Sequence, residues 1–148
     1  MYTIVLIIHN WVRWVALVSA IGAAFAALRK NDGAAERWGL IAMSSLDLQM
    51  LLGLLLYLAL SPNMAAIMNN FGGAMKDPVA RFWAVEHVSS MFLAVIVAHV
   101  GRVLARKATS PDARRKRILI GFSVAALLMI VGMPWPGRAG GRPLIRLS

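Results

Sequence analysis

The chain reads as an all-α membrane protein, a bundle of four transmembrane helices with both termini on the outer, periplasmic side. Three observations predict this. Of its 148 residues, 59% are hydrophobic and 15% charged, whereas about a quarter of a soluble domain is charged. The apolar residues gather into four runs, about 3–28, 39–60, 81–104 and 118–133. The cations gather between those runs. A single membrane domain over 1–148 accounts for all three.

The first run, Thr3 to Leu28, exceeds the ~20 residues that hydrocarbon requires. No cation precedes it, and Arg29 and Lys30 follow it, so it reads as a retained span with its N-terminus outside. Asn31-Asp32-Gly33 predicts a tight turn. The second run, Gly39 to Leu60, and the third, Arg81 to Leu104, are also long enough to cross. The fourth, Ile118 to Met133, is shorter and suits a thin or tilted region. Pro134 and Pro136 end it, since proline cannot continue a helix. In lipid the backbone of such runs is satisfied only as helix.

The connections set the orientation. Arg102, Arg106, Lys107, Arg114, Arg115, Lys116 and Arg117 crowd the third connection, and Arg29, Lys30 and Arg37 the first. The excess of cations places both in the cytoplasm. Lys76, Arg81 and the tail residues Arg138, Arg142 and Arg146 then lie outside. The net charge of +10 sits in these connections, which argues against a nucleic-acid partner. Ser110 or Asp112 is expected to cap the last helix. The outer connection, 61–80, carries Met64 and Met68 one helical turn apart, which predicts a short helix lying on the membrane. Trp11, Trp14, Trp83 and Trp135 suit an outer aromatic belt, and Trp38 an inner one. Gly121 with Ala125, and Ala94, Ala98 and Gly101, are small residues that let helices approach closely.

The chemistry-bearing residues are few. With no cysteine there is no disulfide, thiolate metal site or c-type haem attachment. No phosphate-binding loop, nucleophile elbow or zinc-protease helix is present. Glu86-His87 lacks the second ligand one turn on that a helical zinc site uses. What remains is three histidines inside apolar runs. Ionisable groups there usually face a protein interior and serve a function. Counted from the basic ends of their helices, His9 is about 30 Å from Arg29 and His87 about 28 Å from Arg106. Two imidazoles level with each other on two helices are what a b-type haem needs, one haem per chain. Arg13, one turn from His9, and Arg81 are expected to balance the propionates. Ser90 is expected to leave room for the macrocycle below His87.

His99 is about 10 Å from its basic end and points about 120° away from His87. No other helix offers a histidine at its level. Asp47, about 15 Å from Arg37, shares that depth, and the two are expected to form a second polar site as a structural pair. Arg102 is an alternative partner for Asp47. Gln49, Gly53 and Tyr57 share one face of the second helix, where they line a quinone cleft or join helices.

The run from His9 through Asn-Trp-Val-Arg to Trp14, Leu48 to Leu54, Arg81 to His87, His99 to Arg102, Pro134-Trp-Pro136 and Gly141-Arg-Pro143 resembles a family of small bacterial four-helix membrane proteins labelled cytochrome b-like. The resemblance covers nearly the whole chain. It implies His9, His87 and His99 as candidate haem ligands, and a multi-pass protein of the bacterial inner membrane. The single inner histidine departs from the paired pattern of two-haem cytochromes b. Copper-resistance membrane proteins are more distantly similar in style.

The expected function is therefore that of a membrane haem protein carrying electrons in or beside a respiratory or photosynthetic chain. Electrons would pass between a quinol and a partner redox centre, within a homo-oligomer or a larger redox complex. Two alternatives stand beside it. One is copper handling at the outer face, where Met64, Met68 and Met75 offer soft thioethers near His9 and His87. The other is a cofactor-free accessory subunit of a larger membrane complex.

Overall fold

The computed structural model describes residues 1–145; Arg146, one of the expected outer cations, lies outside the described residues. Helix α1 (Tyr2–Leu28) is followed by α2 (Asp32–Leu55), which runs on through a π-helical turn, π1 (Leu56–Leu60). Three short helices cross one end, α3 (Pro62–Asn69), α4 (Phe71–Ala74) and α5 (Pro78–Arg81). A second π-turn, π2 (Phe82–Glu86), leads into α6 (His87–Arg106), and α7 (Pro111–Gly132) follows. No strand occurs among the described residues. Three helical stretches are long and apolar enough to cross a membrane: Tyr2–Leu28, Asp32–Leu60 and Pro78–Arg106.

Local sequence explains where the helices begin. Asn31, Ser61, Asn70, Asp77 and Ser110 each accept a bond from a backbone amide in the first turn that follows. Pro62, Pro78 and Pro111 sit just inside three of these starts, where a missing N–H costs nothing. One local expectation is corrected. The reversal between α1 and α2 falls at Arg29-Lys30, with Lys30 at φ 57°, and Asn31 caps α2, which starts at Asp32. Helices α2 and α7 also begin well before the apolar runs that marked them. An apolar run records where lipid lies, and a helix continues past it wherever polar residues favour it.

The four long helices pack in a ring. Helix α1 lies against α2 and α7, α7 lies against α6, and α2 meets α6 most loosely. The centre is built of small side chains: Ala16, Ala20, Ala23, Ala42, Ala94, Ala98 and Ala125 are wholly enclosed, around Phe122 and Met129. Helices α6 and α7 touch backbone to backbone, because a Cβ on Gly101 would lie 2.8 Å from the Cα of Gly121. Outward faces carry Ile4, Val18, Phe25, Leu51 and Leu58, all exposed, as hydrocarbon requires.

At the basic end an ion-pair cluster ties the helices together. Arg102 on α6 and Arg114 on α7 both donate to Glu36 on α2, at 2.5 Å and 2.7 Å. Arg115 donates two bonds to Asp32, each 2.8 Å. Arg102 is thus taken by Glu36 and does not reach Asp47.

Gly121→Val is expected to force α6 from α7 and cost about 1–3 kcal/mol. Thermal or denaturant unfolding in detergent measures it, and an unshifted transition would mean the two backbones do not touch.

Candidate functional site

The end opposite the basic cluster gathers the polar residues of the spans. Helix α1 contributes His9, Asn10 and Arg13. His87 is the first residue of α6, just after π2. A π-turn carries one residue more than a regular turn, re-aiming the side chains around it, and often marks a functional site. Both π-turns border this site, and they are joined: Tyr57 of π1 donates its hydroxyl to the carbonyl of Ala84 in π2, at 2.8 Å.

The ring centres of His9 and His87 lie 6.5 Å apart, with planes at 67°. His87 Nδ1 is 2.7 Å from the carbonyl of Gly132 on α7. A carbonyl only accepts, so Nδ1 carries the proton and Nε2 keeps its lone pair. Phe82 and Trp83 flank the same ring, with centres 5.9 Å and 5.4 Å away. His9 is positioned from α2. Gln49 Nε2 donates to its backbone carbonyl at 2.9 Å. Gly53 faces its ring, and a Cβ there would come within 3.2 Å of His9 Cε1.

Between α2 and α6 lies a cavity of about 150 Å³ lined by both histidines. Its walls are mostly apolar, and they include five methionines, Met50, Met64, Met91, Met129 and Met133. Arg13 and Arg142 also line it, and no carboxylate does among the described residues. Among the described residues, four buried side-chain atoms have no hydrogen-bond partner: His9 Nδ1, Asn10 Oδ1, Arg13 Nε and Gln49 Oε1. All four belong to cavity-lining residues. Buried polar atoms are almost always paired, so their concentration here marks a place built to receive something.

The tail closes one side of the cavity. Arg13 donates to the carbonyls of Pro143 and Leu144. Trp14 Nε1 donates to Leu144 at 3.1 Å. The Arg142 guanidinium lies 5.3 Å over the ring of Trp83.

Of the residues expected at the site, His9, His87 and Arg13 come together. Arg81 does not: it bonds Glu86 at 2.8 Å, and both are about half exposed, away from the cavity wall. Its place as second cation is taken by Arg142. Ser90 is also absent from the wall, because its hydroxyl donates to the carbonyl of Leu128 at 2.7 Å and links α6 to α7. His99 and Asp47 meet, with Nε2 3.4 Å from Oδ1, outside the cavity on the flank of the bundle. Gln49, Gly53 and Tyr57 all line the cavity, and Gln49 and Tyr57 also bond across to neighbouring elements. Of Met64, Met68 and Met75, only Met64 is on the wall. Asn10 was overlooked in the sequence, although a buried amide beside His9 in an apolar run was a readable signal. No group of three or more His, Cys, Asp or Glu forms a metal cluster among the described residues.

Comparison of the chain with family models, curated proteins and solved structures finds no match.

Arg13→Met is expected to release the tail. Tryptic cleavage after Arg138 should become about tenfold faster or more, since charge-assisted bonds are worth about 1.5–3 kcal/mol. An unchanged cleavage rate would show that Arg13 does not hold the tail.

Proposed function

We propose that the chain is a membrane-embedded b-type haem protein that carries electrons, in which His9 and His87 would hold the iron. One observation carries the reading, the 6.5 Å between the two ring centres. An imidazole nitrogen sits about 1.1 Å from its ring centre and about 2.0 Å from a bound metal ion, so two rings sharing one ion have centres about 6.2 Å apart.

The surrounding residues fit the group. His87 has its tautomer set by Gly132, leaving Nε2 free to ligate. The wall is apolar apart from its polar cluster, and it holds two arginines with no carboxylate to neutralise them. That surplus of positive charge suits the two propionates of haem. When bound, haem supplies a one-electron centre whose potential is tuned by burial and by hydrogen bonds to the ligands. The free space, about 150 Å³, is the size of a single aromatic ring. A macrocycle therefore requires α2 and α6 to part beside His9, and this is the loosest contact in the ring of helices.

In this reading α7 crosses the membrane with the other three long helices. The basic end faces the cytoplasm of a bacterium and both termini lie outside, as the positive-inside rule favours. The similarity to small cytochrome b-like membrane proteins points the same way. A quinol is the natural donor beside the α2–α6 gap, and a larger redox complex the natural acceptor.

A second reading has its own observation. Five thioethers and two imidazoles line one small cavity, a donor set suited to Cu(I). Size favours copper and charge favours haem: a bare cation would sit beside the guanidinium of Arg13 with no carboxylate to offset it, whereas haem brings its own negative charge.

Purified protein is expected to show reduced-minus-oxidised Soret and alpha bands with about one iron per chain. His9→Ala and His87→Ala should each abolish those bands without unfolding the protein. Stoichiometric copper with no bands would establish the second reading, and neither metal would leave an accessory subunit.

A further inference from the structure

Asp47 and His99 occupy an unusual place for ionisable groups. They lie inside apolar spans, about 15 Å and 10 Å from the nearest basic helix ends at Arg37 and Arg106. Yet their side chains remain 56% and 41% exposed on the flank of the bundle. His99 Nδ1 donates to the carbonyl of Val95 at 2.9 Å, which turns Nε2 toward the Asp47 carboxylate, 3.4 Å away.

Among the described residues nothing else completes this pair. Between Arg13 and Arg29 helix α1 has no ionisable residue, and neither has the chain between Arg117 and Arg138. Arg102, one turn nearer the basic end, is buried against Glu36. Hydrocarbon offers no hydrogen bonds to the exposed half of either side chain, and polar groups within spans almost always face protein or a water-filled cavity. The flank is therefore a covered surface.

We propose that it is the contact between two copies of this chain, related by a two-fold axis parallel to the helices and passing beside Asp47 and His99. The pair presents a carboxylate and an imidazole side by side. A two-fold copy presents the same two groups in reverse order, so Asp47 of each chain faces His99 of the other. An unrelated protein would need a matching pair at the same depth, whereas a second copy has it by symmetry. The rest of the face suits close approach. Leu40, Ser44, Leu48 and Leu51 run along α2 at helical spacing, and Phe92, Ile96, Val100 and Val103 along α6. The apolar members of both rows are exposed, and Ser44 is small enough to let helices near each other. Neither Asp47 nor His99 lines the cavity around His9 and His87. The contact does not depend on what that cavity holds.

The absence of cysteine makes a clean test. Ser44→Cys and Ile96→Cys, expressed singly in the full chain, are oxidised or treated with a short bismaleimide in native membranes. Val18→Cys, on the exposed face of α1, is the control. The flank variants should give a product of twice the chain mass and the control should not. Adding Asp47→Asn to Ile96→Cys should cut that product at least about threefold, while the detergent-solubilised chain stays monodisperse and folded. Only monomers at both flank positions, a product of another mass, equal cross-linking by the control, or indifference to Asp47→Asn would each overturn the proposal.

Discussion

Hydrocarbon gives a polar group nothing to bond with, and that constraint shapes the chain more than any single contact does. Many polar side chains within the long helices find a partner inside the protein. Ser19 and Ser45 donate to carbonyls of their own helix. Tyr57 crosses from one π-turn to the other, Ser90 and His87 reach carbonyls of α7, and Arg102 reaches Glu36. Against that background the exceptions carry meaning. Four orphaned atoms surround one cavity, and one acid–histidine pair stands half exposed on the flank.

The small-residue core makes the cavity's position intelligible. Alanine and glycine bring α1, α2, α6 and α7 close over most of their length, and close approach is what holds helices together where the hydrophobic effect cannot. Near the histidines the packing changes character. Larger side chains, two π-turns and the returning tail replace the alanines. The helices are locked at the basic end by Glu36 and Asp32 with their arginines. They are looser where α2 faces α6.

Electrostatics separates the two metal readings more sharply than size. A cavity holding two guanidiniums and, among the described residues, no carboxylate carries a surplus of positive charge, and the haem reading rests on that charge. The tail makes this so: it brings Arg142 to the wall while its carbonyls hold Arg13 in place. The choice of ligand chemistry therefore lies partly with a segment that has no regular structure of its own.

The all-helical character and the long apolar stretches were legible in the sequence, because lipid imposes length and hydrophobicity on each segment separately. That His9 and His87 stand at one level of the bundle was legible too, since rise per residue is a local property, and the two rings stand 6.5 Å apart. The meeting of Asp47 with His99 was readable on the same grounds. Rotation and long-range return were not. Arg81 turns to Glu86 and Ser90 to Leu128, because a π-turn re-aims the chain just before α6 and α7 packs within reach. Arg142 enters the cavity wall from far along the sequence, a position no periodicity encodes. Local chemistry determined which segments are helical, long and apolar and where along them the polar residues fall; only the packing of helices against one another decided which of those residues face a common space.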